Sequence, residues 1–235
     1  METTSIDLTI LKRIPNLSES AILEITPLAP LSMVSEYPGA FYKTLSTPSK
    51  NMLCGLLENL LGWHFSDKVR KEIFSDYKKS RAKQKIKINE SDYKNGSTYL
   101  PLLNDYFEIA GNTQYEDFKG ISFYVDYWSR YYRRGDSSKH LNGCRNISID
   151  IIAEKHLVFK SATKEAKEDW FKRNKGSVPL FYTTPTKREY VNIDAKITIP
   201  LTIDPDLLSL ILNTSDNLGY LGNNEGWIHF TIRQI

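Results

Sequence analysis

Apolar residues recur along this chain at two different spacings, and each spacing predicts a different element. Met52, Leu56 and Leu60 form one row at helical spacing, and Leu53, Leu57 and Leu61 form the next. The segment Thr47–Gly62, TPSKNMLCGLLENLLG, therefore predicts a helix. Thr47 is its expected N-cap, Pro48 suits the first helical position, and Gly62 is the expected stop. Near the other end, Ile197, Ile199, Leu201 and Ile203 alternate with polar or small positions, which predicts a half-buried strand over Lys196–Ile203.

The remaining pattern fills in around these two elements. Ala21–Thr26 predicts a short strand ended by Pro27 and Pro30, and Leu31–Ser46 reads as a loop turning at Pro38-Gly39. Ser66-Asp67 opens a second, amphipathic helix running to about Lys79. Lys83, Lys85 and Lys87 alternate with Gln84, Ile86 and Ile88, which would place three cations on one strand face. Gly120–Tyr132 fits either a strand through Phe123, Val125 and Tyr127 or a helix with Tyr124, Tyr127, Trp128 and Tyr131 on one face. Ile147–Ile152, Leu180–Thr183 and Arg188–Ile193 are strand candidates, and Lys164–Arg173 predicts a short charged helix. Asp204-Pro205 caps a helix to about Leu212, and glycines 219, 222 and 226 space a turn before a closing strand, Gly226–Ile232.

The order strand, helix, insertion, strands, helix, strand is that of an α+β domain of βαββαβ type, a sheet with helices on one face. Residues 1–18 read as an N-terminal arm, 19–79 as the first part of the core, 80–180 as a basic, tyrosine-rich insertion and 181–235 as the closing part of the core. Such sheets commonly bind RNA, although a fold alone does not dictate function.

Charge sharpens this picture. The net charge of the 235 residues is only +3, but six cations fall within Lys78–Lys87, and Arg130, Arg133, Arg134, Lys139 and Arg145 follow. Nine of the fourteen tyrosines lie between Tyr77 and Tyr132, among those cations. Cations neutralise phosphates and aromatic faces stack on unpaired bases, so the pairing suits single-stranded nucleic acid. A solvated basic face over a tyrosine-rich core is the alternative. Lys50 is a further candidate, because a helix N-terminus with free N–H donors and an adjacent cation suits a phosphate.

Other chemistries find no support. Cys54 and Cys144 give neither a disulfide framework nor a metal spacing, and no nucleotide or metal motif is present, so no cofactor is expected. Gly219-Tyr-Leu-Gly222 lacks the setting of a dinucleotide loop, and Asp204 and Asp206 read as a helix cap rather than ligands. His64 and His229 lie between aromatics and are expected in or near the core. His140, in the polar loop GDSSKHLNGCR beside Lys139, is the one histidine placed to act as a base in metal-independent RNA cleavage. No apolar run reaches membrane-spanning length and no secretory leader opens the sequence, so a cytoplasmic protein without membrane contact is expected.

TPSKNMLCGLLENLLG (47–62), TTPTKREYV (183–191) and YLGNNEGWIHF (220–230), in that order and spacing, resemble the Cas-five family. This is the RAMP-type subunit of the CRISPR Cascade surveillance complex. The resemblance covers about residues 20–62 and 180–232 and leaves the middle block unmatched. It implies a ferredoxin-like fold with a protruding thumb, supplied here from within residues 78–180. It also implies a subunit that grips the 5′ handle of the guide RNA, joins the large and backbone subunits, and meets target DNA only indirectly. Carried onto this chain, the motifs make Ser49 and Lys50 the expected handle contacts, with Arg188, and Lys187 if it faces the RNA, as a second contact. Arg130, Arg133, Arg134 and Arg145 are RNA-contact candidates on charge alone. One branch of the family cleaves precursor RNA with a tyrosine, a lysine and a histidine, a triad no motif locates here. A non-catalytic subunit is therefore expected, with an endoribonuclease or a protein-binding module without nucleic acid as the alternatives.

Overall fold

The computed structural model describes residues 6–34, 41–86, 88, 93, 99–130, 138–140, 154, 157–160, 162–174, 186–214, 217–223 and 225–235, with backbone alone for 128–130, 138–140, 171 and 186. The chain is a mixed α+β protein. Its strands are β1 (Glu19–Pro27), β2 (Phe41–Tyr42), β3 (Phe107–Ile109), β4 (Gln114–Arg130), β5 (Ser138–His140), β6 (Thr186–Ile203), β7 (Leu218–Tyr220) and β8 (Trp227–Gln234). Among the described residues its longer helices are α1 (Lys50–Leu60), α2 (Asp67–Lys83), α3 (Lys164–Arg173) and α4 (Pro205–Leu212). Two compact units divide it: residues 1–36, 44–122 and 191–235 form the first, and residues 37–43 and 123–190 the second.

In the first unit the strand order is β4-β6-β1-β8-β7, with β3 also pairing with β6. β1 is central. Leu23 pairs with Ile199 on one side and Ile232 on the other, both antiparallel. The alternation seen in the sequence fixes the faces: Ala21, Leu23 and Ile25 of β1 and Ile197, Ile199, Leu201 and Ile203 of β6 are all buried. Leu53, Leu56 and Leu57 of α1 and Leu207, Leu208 and Ile211 of α4 join the same core. Each such side chain contributes about 1.5–3 kcal/mol by leaving water.

Val191 and Ile193 are buried and in phase with Ile197, so the two strands expected over 188–203 are one continuous strand. Asp194 and Ala195 are poor strand formers but do not break the alternation. Gly120–Arg130 is a strand, since β4 runs unbroken through Arg130; Tyr131 and Tyr132 lie outside the described residues.

Helix α1 starts later than expected. Ser49, not Thr47, is its N-cap, with extended backbone (φ −81°, ψ 161°), and Lys50 is the first helical residue. Pro48 therefore lies outside the helix, buried. The other end follows expectation. Gly62 takes φ +71°, its N–H bonds Asn59 O at 3.0 Å, and Trp63 N–H reaches back to Glu58 O at 2.9 Å. This paired return is the Schellman arrangement, which favours glycine at the left-handed position.

Helix α2 begins at the Ser66 cap and absorbs the first half of the basic run. Phe74, Tyr77 and Arg81 face inward at helical spacing, so the helix continues to Lys83. Gln84 caps it and Lys85 turns with φ +60°, so the expected strand of Lys83, Lys85 and Lys87 does not form over 83–85; Lys87 lies outside the described residues.

Helix α4 matches its expected grammar. Asp204 caps it by accepting from the N–H groups of Asp206 (3.0 Å) and Leu207 (3.3 Å), and Pro205 follows in the first turn. The same carboxylate accepts from Asn16 N–H at 2.8 Å and is ion-paired with Arg13. Ile10 and Leu11, in a short 3-10 turn over Thr9–Lys12, are buried, so the segment read as an arm packs into the core.

In the second unit, β2 pairs parallel with the start of β6, and the end of β4 pairs with β5. α3 occupies the expected Lys164–Arg173, capped by Thr163, whose hydroxyl accepts from Ala166 N–H at 3.4 Å. Its Trp170 is buried, edge-on to Phe159, with its indole N–H donating to Glu154 Oε1 at 3.0 Å. The strand candidates at 147–152 and 180–183 lie outside the described residues.

Candidate functional site

The start of α1 positions the first pair of candidates. No side chain caps the first turn and no acidic residue lies in it, so the positive end of the helix dipole is not offset from within the helix. Lys50 is held by tertiary contacts. Its Nζ donates to Glu108 Oε1 at 2.6 Å and lies 5.8 Å from the centre of the Phe107 ring. Glu108 is exposed on β3, and no local pattern signals that it would reach Lys50. Ser49 lies beside it, half-buried, its carbonyl accepting from Met52 and Leu53 N–H at 3.0 and 3.1 Å.

The second pair belongs to the second unit. Lys187 and Arg188 are successive residues of β6 and so project from opposite faces of the strand. The parallel register sets Phe41 against Lys187 and Tyr42 against Arg188. Arg188 is half-buried, its guanidinium 5.7 Å from the Tyr42 ring centre, whereas Lys187 is exposed, its Nζ 5.9 Å from the centre of Tyr127. β2 was not legible in the sequence. Arg130 ends β4, its backbone paired with Ser138, while Arg133, Arg134 and Arg145 lie outside the described residues. His140, the histidine that the endoribonuclease alternative would use as a base, lies on β5 with its backbone paired with Trp128.

The basic run is in part core. Arg81 is buried; it donates to the Tyr106 hydroxyl at 2.8 Å and to Gln84 Oε1 at 3.0 Å, and its guanidinium lies 4.6 Å from the Tyr77 ring centre. Tyr77, Tyr93 and Tyr106 are buried too. Burial, followed by the Tyr77 hydrogen bond to Asp105 at 2.5 Å, pushes the Tyr77 phenol up to about 12. These tyrosines serve the core, not a stacking surface. Of the neighbouring lysines, Lys79 pairs with Asp76 at 2.9 Å and Lys78 lies over Phe74 at 5.4 Å.

The outer face of the sheet in the first unit is charge-balanced. Lys196 sits 3.5 Å from Glu24 and 3.4 Å from Glu116, and Arg233 is 3.5 Å from Glu24. Thr198 and Thr231 donate to Glu116 and Glu24 at 2.9 and 3.3 Å. His64 is exposed rather than in or near the core, whereas His229 is half-buried. Among the described residues no group of three or more metal-ligating side chains occurs, and no helix is long and apolar enough to cross a membrane.

The profile of the family described as CRISPR-associated protein Cas5p matches residues 6–232. The chain belongs to that family. No curated protein matches the chain. Among solved structures, it is similar to a Type III-B Cmr-beta complex bound to cognate target RNA and AMPPnP, at 12% identity and a TM-score of 0.34 over 91% of this chain. The chain spans 63% of the length of that matched chain. It is also similar to oligomeric Cmr4 from Pyrococcus furiosus, at 12% identity and a TM-score of 0.30, covering 92% of this chain and 98% of that one.

Proposed function

We propose that this chain is the non-catalytic subunit of a Cascade-type surveillance complex that holds the 5′ handle of the guide RNA and joins the large and backbone subunits. Membership of the CRISPR-associated Cas5p family over residues 6–232 carries this reading. The strand order β4-β6-β1-β8 supports it: α1 lies in sequence between β1 and β4, and α4 between β6 and β8, the βαββαβ arrangement of a ferredoxin-like domain. The thumb is drawn from the second unit.

In this reading Ser49 and Lys50 meet handle phosphates, helped by the uncapped start of α1. Lys187 and Arg188 mark a second contact, and Arg130, Arg133, Arg134 and Arg145 add charge. Processing of the precursor falls to a separate endoribonuclease, the chain acts in the cytoplasm, and target DNA is met through the assembled complex. The test is binding of the protein to a synthetic guide RNA with and without its repeat-derived 5′ segment. Tighter binding with the segment, weakening steeply with salt, supports the reading. Equal binding of both RNAs, or cleavage of the longer precursor by the purified chain, contradicts it.

A further inference from the structure

The register of β2 on β6 separates the two cations that the sequence left together. Arg188 shares a face with Tyr42, packs its guanidinium over that ring, and has its Nε buried. Lys187 shares the other face with Phe41, its register partner, which is 37% exposed. Lys187 is itself exposed, with the half-buried Tyr127 ring under its ammonium group. Lys43, also exposed, follows two residues after Phe41. Glu189, half-buried and engaged in other contacts, bounds the strip two residues along β6.

We propose that Phe41, Lys187 and Tyr127 form a subsite for one nucleotide of single-stranded RNA, with the phosphate on the Lys187 ammonium and the base on the Phe41 ring. The inference rests on the RNA-binding reading above and adds residues that reading does not name. Lysine is a mobile point charge suited to a phosphate, and an exposed aromatic ring beside it offers a π-face to any base. The second tyrosine holds the ammonium over its ring when no RNA is bound, by cation–π attraction. Arg188, on the opposite face over the Tyr42 ring, lies outside this subsite.

The experiment is fluorescence anisotropy of the full chain with a labelled, unstructured RNA 12-mer, across salt, for Phe41→Ala, Phe41→Tyr and Lys187→Ala. Phe41→Ala is expected to weaken binding about tenfold with an unchanged salt slope, because stacking is not ionic. Phe41→Tyr keeps the ring and restores affinity. Lys187→Ala is expected to lower the salt slope by about 0.7, the loss of one phosphate contact on a single strand. Thermal melting of each variant identifies any that is misfolded, and Phe41→Tyr then carries the comparison. Wild-type affinity in both Phe41→Ala and Lys187→Ala, with Lys50→Glu weakened, overturns the subsite and leaves the handle reading standing. A wild-type chain that binds no RNA overturns both.

Discussion

Lys50 Nζ and Glu108 Oε1 are 2.6 Å apart, so the cation nearest the start of α1 is already neutralised from β3. A phosphate arriving there must compete with a carboxylate. Both side chains are partly exposed, so the pair itself contributes only about 0.2–1 kcal/mol to stability. Glu108→Gln is therefore expected to leave the melting temperature within a degree or two while tightening RNA binding about two- to fivefold. Lys50→Ala should weaken it about fivefold near 0.1 M salt, the share of one phosphate contact. Anisotropy with the two variants side by side measures both effects, and tighter binding by Lys50→Ala would reverse the assignment.

Arg81 separates a structural cation from a functional one. Arg81→Ala leaves the Tyr106 hydroxyl without its donor and opens the core, so it should cost roughly 2–4 kcal/mol. Lys83→Ala, on the exposed side of the same helix, should cost less than about 0.5 kcal/mol. Urea unfolding of both variants checks this. Equal stability of the two would show that Arg81 is not the buried anchor described.

Asp204 ties stability to pH. Burial alone would push its carboxyl up, but the Arg13 hydrogen bond and the amides of Asn16 and Leu207 outweigh it and hold it below its ordinary value. A lowered carboxyl stabilises the fold above its unfolded pKa of about 3.9, and that contribution is lost as pH falls below it. Asp204→Asn keeps a good cap but loses the charge facing Arg13, a cost of roughly 1–3 kcal/mol. Melting temperatures at pH 7 and pH 3 should differ less for Asp204→Asn than for the wild type; an unchanged difference refutes the link.

Gly219 tests the packing of α1 on the sheet edge. A Cβ added there would lie 2.6 Å from Leu56 Cδ1. Gly219→Ala should destabilise by about 1–3 kcal/mol through overpacking, and Leu56→Val should recover part of that loss by withdrawing the clashing methyl. A double-mutant cycle by chemical unfolding gives the coupling directly, and strict additivity would contradict the contact.

The alternation of Ile197–Ile203 and the Asp204-Pro205 cap were legible because a single local rule governs each. The helix at Lys164–Arg173 and the Gly62 stop followed for the same reason. The start of α1 is ambiguous in the sequence because Thr47 and Ser49 are both good cap residues, and Ser49 takes the position without a side-chain cap bond. Arg81 sits within the basic run Lys78–Lys87, and the spacing that turns it inward depends on Phe74 and Tyr77 being core residues. Glu108 and Phe41 carry no local signal, because each meets its cation through a pairing distant in sequence. No local pattern encodes that Phe41 lies beside Lys187.

Under the proposed function, this chain holds the repeat-derived 5′ end of a guide RNA through Lys50. The most direct test is sequencing of small RNA that co-purifies with the tagged chain and its partner subunits from cells carrying a repeat array, for wild type and Lys50→Glu. RNAs that share one repeat-derived 5′ end are expected in the wild type and strongly depleted in Lys50→Glu. Recovery of no small RNA, or of the same RNA in equal yield from both, would contradict it.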